Sequence, residues 1–281
     1  MEPTQIDQFN NGGREALTLR MASFYERQKP LEFVMLGYPF KSTNHRDKTI
    51  GTLPDMAEEV SMKNFKLFGD KIADVYPPGI RITVISDGYV FNDILEEQDY
   101  IVDNYGEIAR DLAKDTPVQI MSLRDFYPED RLNDARGKVI SQFGITDTEL
   151  EHRVLFDPNV NSLYRGMIRF MEEELANRSY PSHRKLHLAA KTLARQMMFR
   201  NEAYSHLVSA EFKTAIRLSM HPSTNIDKYS FQLIPGKHNR MSPWHCAVLW
   251  KDGTYSTIHK KDAEAAGHEL VSVGGRPYFY V

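Results

Sequence analysis

The chain has 281 residues, 41% of them hydrophobic, and its 35 basic and 38 acidic side chains give a formal net charge of −3. This near-neutral balance argues against a surface that binds nucleic acid or an anionic membrane by charge alone. The single cysteine excludes an intrachain disulfide and a four-cysteine zinc site, and the longest apolar run, Cys246 to Trp250, is far too short for a membrane span. Met1 to Gln5 lack the basic and apolar regions of a signal peptide, so we expect a cytoplasmic protein.

Strands and helices alternate through the first half of the chain. Apolar residues recur at helical spacing within residues 14–27, 55–73 and 98–113, and short apolar runs follow each of these segments. Strands separated by helices of this length require parallel crossovers, so the sequence predicts an α/β fold with a Rossmann-like, doubly wound core. The predicted strands are Leu31–Leu36, Arg81–Ser86 and Val118–Leu123.

The pattern changes twice in the second half of the chain. Residues 130–212 are predicted to be helical, most clearly over His183–Asn201. We expect a Rossmann-like core with this helical insertion over residues 1–210, and a smaller, strand-rich C-terminal part over residues 211–281 that shares the active site. The predicted strands of that part are Ala215–Met220, Ser230–Ile234, Cys246–Trp250, Thr254–Ile258, Leu270–Val273 and Pro277–Tyr280, with a short helix at Lys261–Ala266.

Polar side chains follow the first two predicted strands. Lys41, Ser42 and Asn44 come after the first strand, and Ser86 and Asp87 come at the end of the second. Ligands of open α/β sheets bind beyond the carboxyl ends of the strands, so these segments are candidates for holding a phosphate or a carboxylate. The alternative for the first cluster is a solvated turn, because polar runs of this kind usually mark loops.

An alternating segment after the helical region is a third candidate. Period two places Arg217, Ser219 and His221 on one face of a strand, while Ile216 and Leu218 face the core. Arg fixes an oxyanion, Ser donates to it and His titrates near neutrality, which are the groups that proton transfer on an anionic substrate requires. The alternative is an ordinary solvent-exposed face of the sheet.

A last group of candidates lies near the predicted strand Cys246–Trp250. Lys237, on a Pro-Gly turn, is either an anion contact or a solvated lysine. Trp244 is either an aromatic wall for a ring-bearing substrate or a packing residue. His245 and Cys246 are adjacent, so on a strand they face opposite ways and cannot form a catalytic pair, and Cys246 is interpreted as buried filler. No metal or nucleotide-cofactor motif is present in the sequence.

The candidate residues belong to short motifs that run in order from about residue 33 to the C-terminus. These motifs are Pro39-Phe40-Lys41-Ser42-x-Asn44, Leu53-Pro54-Asp55-Met56-Ala57-Glu58, Ser86-Asp87-Gly88-x-Val90-Phe91-x-Asp93, Ile216-Arg217-Leu218-Ser219-x-His221-Pro222, Pro235-Gly236-Lys237-x-Asn239, Pro243-Trp244-His245 and Gly275-Arg276-Pro277. Together they resemble the PvcA-like isonitrile (isocyanide) synthase family, whose superfamily also holds the fungal dityrosine-biosynthesis enzyme. A set of motifs that matches in the same order along the chain is far more specific than any single motif.

The resemblance implies a lyase-type enzyme that needs no cofactor and no metal. Its substrates are an aromatic L-amino acid, tyrosine in preference to tryptophan, and ribulose 5-phosphate. The carbonyl carbon of the sugar becomes the isonitrile carbon through imine formation, loss of phosphate and carbon–carbon cleavage. The implied functional neighbour in secondary metabolism is an iron/2-oxoglutarate oxygenase that acts on the isonitrile product. No nucleic-acid or membrane partner is implied.

The resemblance also implies roles for the candidate residues. His221 or His245 is the acid/base, Asp87 orients sugar hydroxyls or accepts a proton, and Arg217 binds the phosphate or the amino-acid carboxylate. The residues implied to bind substrates are Lys41, Ser42, Asn44, Asp55, Ser86, Arg217, Ser219, Lys237 and Trp244.

Two alternatives remain open at this point. The formylating branch of the superfamily yields N-formyl-tyrosine, and a non-catalytic sugar-phosphate or amino-acid binding protein keeps the fold without turnover. The sequence also departs from the family pattern at Arg240, where many relatives have an aromatic residue. The shape of the aromatic pocket, and with it the choice between tyrosine and tryptophan, therefore stays open.

Overall fold

A five-stranded parallel sheet is the centre of the structure, a computed structural model that describes residues 11–220, 228–237 and 239–281. Its strands are β1 (Leu31–Leu36), β2 (Ile80–Ile85), β3 (Val118–Met121), β4 (Ile216–Ser219) and β5 (Lys228–Ser230). They follow the order β3-β2-β1-β4-β5, and every neighbouring pair is parallel. The register sets Phe33 beside Ile82 and Ile216, so apolar side chains of three strands share one face of the sheet.

Helices connect the first three strands, as predicted. Helix α1 (Asn11–Glu26) precedes β1, α2 (Met56–Ala73) connects β1 to β2, α3 (Gly88–Phe91) and α4 (Asp99–Ala113) connect β2 to β3, and α5 (Leu123–Phe126) follows β3. Helix α2 packs on the sheet through aromatic rings: Phe68 contacts Phe33 edge-on, and Phe65 stacks on Phe231 with 4.8 Å between ring centroids. The alternation of strands and helices confirms the Rossmann-like α/β core.

The predicted helical region forms four helices, α6 (Leu132–Phe143), α7 (Asp147–Phe156), α8 (Pro158–Glu174) and α9 (His183–Glu211). Helix α9 begins at the Ser182 cap and runs past its predicted end at Asn201. It continues because Ala203, Tyr204 and Leu207 extend its apolar face and are buried in the main core. Among the helices that the structure describes, none is long and apolar enough to cross a membrane.

The order of the strands creates a switch point between β1 and β4. Strands β2 and β3 lie on one side of β1, and β4 and β5 lie on the other. The loops that leave the carboxyl ends of β1 and β4 therefore diverge, and open α/β sheets bind ligands in such a crevice. Strands β4 and β5 follow residue 210 but pair within the first sheet. That sheet therefore continues across the predicted boundary between residues 1–210 and 211–281. The division into these two parts stays a prediction.

A second, mixed sheet forms the C-terminal part and confirms that this region is rich in strands. It contains β6 (Ala247–Lys251), β7 (Thr254–Ile258), β8 (Leu270–Val273) and β9 (Arg276–Tyr280), in the order β7-β6-β9-β8, with α10 (Lys260–Ala265) between β7 and β8. The hairpin of β6 and β7 turns at Asp252 and Gly253, whose φ angles of 51° and 73° are left-handed. An Asp-Gly pair accepts this conformation readily, which explains its strength as a hairpin signal.

The predicted strand Ser230–Ile234 is wrong beyond its first residue, because β5 ends at Ser230 and the described residues 231–234 form no strand. Side chains satisfy this backbone in place of a neighbouring strand. The Gln232 amide donates to the Ile234 carbonyl at 2.9 Å and to the Asn239 carbonyl at 3.1 Å, and Asn64 Nδ2 donates to the Gln232 carbonyl at 2.9 Å.

Candidate active site

A narrow cleft opens at the carboxyl ends of β4 and β5, beside the switch point. One wall comes from the ends of these two strands, and the other comes from the segment that leads into the 3₁₀ turn Pro243–His245. Its principal lining residues are Met220, Ser230, Gln232, Arg240, Met241 and Ser242. We call it the β4–β5 cleft, and its position agrees with the ligand site expected for this topology.

Lys41 lies in a buried cluster of charges near the same 3₁₀ turn. Its ammonium nitrogen is 2.8 Å from Asp55 Oδ2 and 2.8 Å from Glu58 Oε2, and it donates to the Pro243 carbonyl at 3.0 Å. The ammonium therefore has two carboxylates and one carbonyl of the protein itself as neighbours. Lys41 is 1% exposed and forms a buried ion-pair cluster with Asp55 and Glu58, and the predicted substrate contacts at Lys41 and Asp55 stay predictions.

Hydrogen bonds extend this cluster into two helices. Asp55 is the N-cap of α2: its Oδ1 accepts from Ala57 N at 2.8 Å, and Glu58 Oε2 accepts from Asp55 N at 2.9 Å. This reciprocal capping box confirms that α2 begins where Asp55 predicts. Tyr105 of α4 donates to Glu58 Oε1 at 2.9 Å, so the cluster joins α2 to α4.

Burial and mutual attraction have opposite effects on the ionisation of Lys41 and Asp55. Burial raises the pKa of the Asp55 carboxyl to about 7, although Lys41 acts against the change. Burial also favours a neutral Lys41, but Asp55 and Glu58 outweigh it and raise the pKa of Lys41 above its usual value. The ammonium therefore stays charged and holds the Pro243 carbonyl, which fixes the turn that carries His245.

Glu174, at the end of α8, is a second buried carboxylate, with 2% of its surface exposed. Ser42 Oγ lies 2.8 Å from both of its oxygens, Thr43 N donates to it at 3.0 Å, and Lys48 Nζ donates to it at 3.0 Å. Burial works against its ionisation, yet the charges of His245 and Lys48 and these hydrogen bonds lower the pKa of Glu174 below its usual value. Glu174 is therefore an anion at neutral pH.

Asn44 fixes the same loop to the end of α8. Its Nδ2 donates to the Glu173 carbonyl at 2.7 Å, and its Oδ1 accepts from Asn177 Nδ2 at 2.7 Å and from Asp47 N at 3.0 Å. Ser42 and Asn44 are both buried and both engaged with the protein. Their hydrogen bonds hold the loop after β1 against α8.

His245 lies between the β4–β5 cleft and Glu174. Its Nδ1 is 2.7 Å from Ser242 Oγ, and Ser242 lines the cleft. Its ring contacts Phe170 of α8 edge-on, with 5.2 Å between the ring centroids. A positive charge on His245 contributes to the lowered pKa of Glu174. A half-buried histidine with a hydroxyl on one side and a carboxylate nearby is suited to acid/base chemistry.

Trp244 and Cys246, on either side of His245, are packing residues. Trp244 is 3% exposed, and its ring lies 5.1 Å from that of Tyr38. A Cβ atom on Gly37 would come within 2.7 Å of Trp244 Cη2, so this indole requires a glycine after β1. Cys246 is fully buried, and burial raises the pKa of its thiol far above the usual value. Trp244 is therefore packed in the core, its role as a wall for a substrate ring stays a prediction, and Cys246 is a buried packing residue.

Ser86 and Asp87 lie at the carboxyl end of β2, on the same edge of the sheet as the cleft. Ser86 Oγ donates to the Tyr38 carbonyl at 2.9 Å, and the Ser86 carbonyl accepts from Tyr204 of α9 at 3.0 Å. Asp87 Oδ1 is buried and accepts no hydrogen bond from any residue that the structure describes. Burial raises the pKa of the Asp87 carboxyl to about 7, so this group gains or loses a proton near neutrality.

We expect Asp87→Asn to make stability less dependent on pH between 3.8 and about 7. A carboxyl whose pKa is raised by folding stabilises the folded state below its unfolded-state pKa, and this contribution is lost as the pH rises through the folded-state pKa. Asparagine stays neutral, so the free energy of unfolding of the variant exceeds that of the unaltered protein by about 1 kcal/mol or more above neutral pH. Urea titrations at both ends of the range measure this; identical pH dependence in the two proteins would rule it out.

Arg217 faces α9 and lies away from the cleft. Its Nη1 donates to Ser209 Oγ at 2.6 Å and to the Ser205 carbonyl at 3.3 Å. Ile216 is fully buried and Ser219 is half-buried, which confirms the predicted alternation along β4. Arg217 therefore joins β4 to α9 through hydrogen bonds, and its contact with a substrate anion stays a prediction.

Two further candidates flank the cleft in the sequence. Lys237 is exposed on the turn that follows β5, as predicted for its Pro-Gly dipeptide. His221, the residue after Met220, lies outside the described residues, and its role as the acid/base stays a prediction.

Sequence reasoning missed Glu174 and Lys48. Glu174 ends an acidic run with Glu172 and Glu173, a pattern typical of a solvated helix face, and no local signal separates it from them. Lys48 lies in a polar loop and is buried only because Glu174 and Glu173 both pair with it. Only the docking of α8 on the loop after β1 reveals these residues.

Comparison with known proteins agrees with this architecture. The sequence model of the family described as "Pyoverdine/dityrosine biosynthesis protein" matches residues 21–271. L-tryptophan isonitrile synthase AmbI2 of Fischerella ambigua is 29% identical, with 92% of this chain and 79% of that protein covered. L-tyrosine isonitrile synthase of Pseudomonas aeruginosa is 28% identical, with 93% of this chain and 82% of that protein covered.

The fold is also similar to a solved structure. The crystal structure of the PvcA protein from Pseudomonas aeruginosa superposes with a TM-score of 0.88 at 28% identity, over 96% of this chain and 89% of that one. A family match over most of the chain and a shared fold over nearly all of it lead to one conclusion. The chain belongs to the pyoverdine/dityrosine biosynthesis protein family, which includes the PvcA-like isonitrile synthases.

Proposed function

We propose that the protein is an isonitrile synthase that converts the α-amino group of an aromatic L-amino acid, tyrosine in preference to tryptophan, using ribulose 5-phosphate as the source of the carbon. The observation that carries this proposal is its likeness, over more than nine-tenths of the chain, to relatives named as synthases for these two amino acids. The reaction is of the lyase type, with cleavage of a carbon–carbon bond of the sugar, and it needs no cofactor.

In this proposal His245 transfers protons. The amine of the amino acid must be neutral to attack the sugar carbonyl, and the imine must then lose protons, so the site needs groups that titrate near neutrality. His245 is hydrogen-bonded to a cleft residue, Ser242, and its charge is among the causes that lower the pKa of Glu174. Asp87, with a pKa of about 7, is a second proton acceptor, and His221 is the alternative to His245.

Substrate contacts are proposed for residues at the rim of the β4–β5 cleft. Lys237 and Ser219 are exposed or half-buried near the ends of β4 and β5, so both are within the region that a substrate would enter. Lys41, Ser42, Asn44, Asp55 and Ser86 are proposed to act indirectly, because their hydrogen bonds hold the loops that shape the site.

Incubation with ribulose 5-phosphate and either L-tyrosine or L-tryptophan, in the presence of EDTA, tests the proposal. We expect release of phosphate and an isonitrile product by mass spectrometry. A product heavier by one water identifies the N-formyl branch, and binding without consumption identifies a non-catalytic binding protein. Loss of activity on chelation, restored by a metal, contradicts the cofactor-free reaction.

Two wider statements are also part of the proposal and rest on the family resemblance. The protein acts in the cytoplasm, and its product passes to an iron/2-oxoglutarate oxygenase. Both are open to test by fractionation of the source cells and by supplying the product to such an oxygenase.

A further inference from the structure

A substrate oxyanion needs a cation in the β4–β5 cleft. Of the cations suggested by the sequence, Lys41 and Arg217 do not line it, and Lys237 lies on the turn after β5, outside its lining. Lys41 is buried, forms ion pairs with Asp55 and Glu58 and donates to the Pro243 carbonyl. Arg217 is bound to α9 on a face of the sheet. A phosphate or carboxylate that enters the cleft therefore requires a different partner.

Arg240 is the cation that lines this cleft. Its side chain is exposed, and it makes no hydrogen bond or ion pair with any residue in the described part of the chain. Across the cleft, Ser230 adds a hydroxyl, and Ser242 carries the hydrogen bond to His245. Arg240 and Ser242 therefore line the same cleft, and Ser242 links it to His245, the group proposed to transfer protons.

The backbone beneath Arg240 is held firmly. Asn239, the preceding residue, is 2% exposed. Its Nδ2 donates to the Tyr255 carbonyl at 3.0 Å, its Oδ1 accepts from Thr257 N at 2.8 Å, and its carbonyl accepts from Gln232 Nε2 at 3.1 Å. The backbone that carries Arg240 is therefore fixed to β7, while the guanidinium donors remain available. A side chain held in this way loses less entropy when it binds a ligand.

We propose that Arg240 binds an oxyanion of the substrate in the β4–β5 cleft, the sugar phosphate or the amino-acid carboxylate, through the planar fork of its guanidinium. Arg suits this task because its parallel N–H groups match two oxygens of either anion. Placed there, Arg240 holds the reacting end of a substrate beside Ser242 and His245. The proposal rests on the proposed isonitrile synthase activity and assigns the anion contact within it.

The test compares Arg240→Met and Arg240→Lys with Arg81→Met as the control. Arg81 is an exposed arginine at the start of β2, on the opposite edge of the sheet from the cleft. We expect Arg240→Met to raise the KM of one substrate about 10- to 100-fold with a smaller change in kcat, Arg240→Lys to recover part of this loss, and Arg81→Met to stay within about twofold.

The substrate whose KM rises identifies the anion. A rise for ribulose 5-phosphate assigns Arg240 to the phosphate, and a rise for the amino acid assigns it to the carboxylate. An Arg240→Met enzyme whose two KM values match those of Arg81→Met overturns the proposal.

A binding measurement separates this proposal from the proposed activity. If the unaltered protein forms no isonitrile, the proposed function fails, and calorimetric titration with ribulose 5-phosphate and with L-tyrosine still tests Arg240. Weaker binding of either compound to Arg240→Met than to Arg81→Met supports the anion contact. Equal or absent binding in both variants contradicts it.

Discussion

Replacing Lys41 by methionine lowers the free energy of unfolding by about 3–5 kcal/mol, the usual cost of removing one partner from a buried ion pair. The substitution leaves the Asp55 and Glu58 carboxylates buried without their cation and removes the donor to the Pro243 carbonyl. We expect an early urea transition, and a partial recovery of stability at acid pH, where the carboxyls accept protons.

Two variants make the Lys41 result interpretable. Lys63→Met removes an exposed lysine that pairs with Glu59 on the same helix, α2, and is expected to change stability by less than about 1 kcal/mol. Adding Asp55→Asn and Glu58→Gln to Lys41→Met removes the unpaired charges and restores part of the stability. A Lys41→Met protein of normal stability whose only defect is a raised KM for ribulose 5-phosphate would show that Lys41 binds substrate after all.

If His245 transfers protons as proposed, we expect Glu174→Gln to lower kcat by at least about 100-fold, because the substitution removes the buried anion that interacts with the charge of His245. Glutamine keeps the shape of the side chain, although Lys48 loses one of its two carboxylate partners. We expect the fall to lie mainly in kcat, with a change in the shape of the pH–rate profile, since a residue that only supports the fold would alter neither in this way.

Glu173→Gln is the matched control for Glu174→Gln. Glu173 is the preceding residue and also pairs with Lys48, at 2.7 Å, but its side chain is 59% exposed. Its replacement is expected to leave kcat within about twofold, as for an exposed ion pair. A folded Glu174→Gln enzyme with the kcat of Glu173→Gln would exclude any role of Glu174 in supporting His245.

Local chemistry made much of the fold predictable. The capping residues Asp55 and Glu58 define the start of α2, and the Asp252-Gly253 pair defines the β6–β7 hairpin. The end of β5 was not predictable, since it depends on Gln232 reaching the Asn239 carbonyl, a contact that no alternation of apolar residues encodes.

The candidate site was less predictable, because the same residue types serve as substrate contacts and as buried supports. Lys41 and Ser42 occupy a strand end where ligands commonly bind, yet each meets a buried carboxylate, Glu58 or Glu174, from a distant segment. Burial is a property of the folded chain, so a motif alone does not separate a lysine that binds phosphate from one that locks a turn.

Isotope tracing tests the central claim most directly. Ribulose 5-phosphate labelled with carbon-13 at its carbonyl carbon is incubated with the protein and unlabelled L-tyrosine, and the product is examined by mass spectrometry and carbon NMR. We predict an isonitrile whose terminal carbon carries the label, together with release of phosphate. An isonitrile without the label, or recovery of both compounds unchanged, would contradict the proposed reaction.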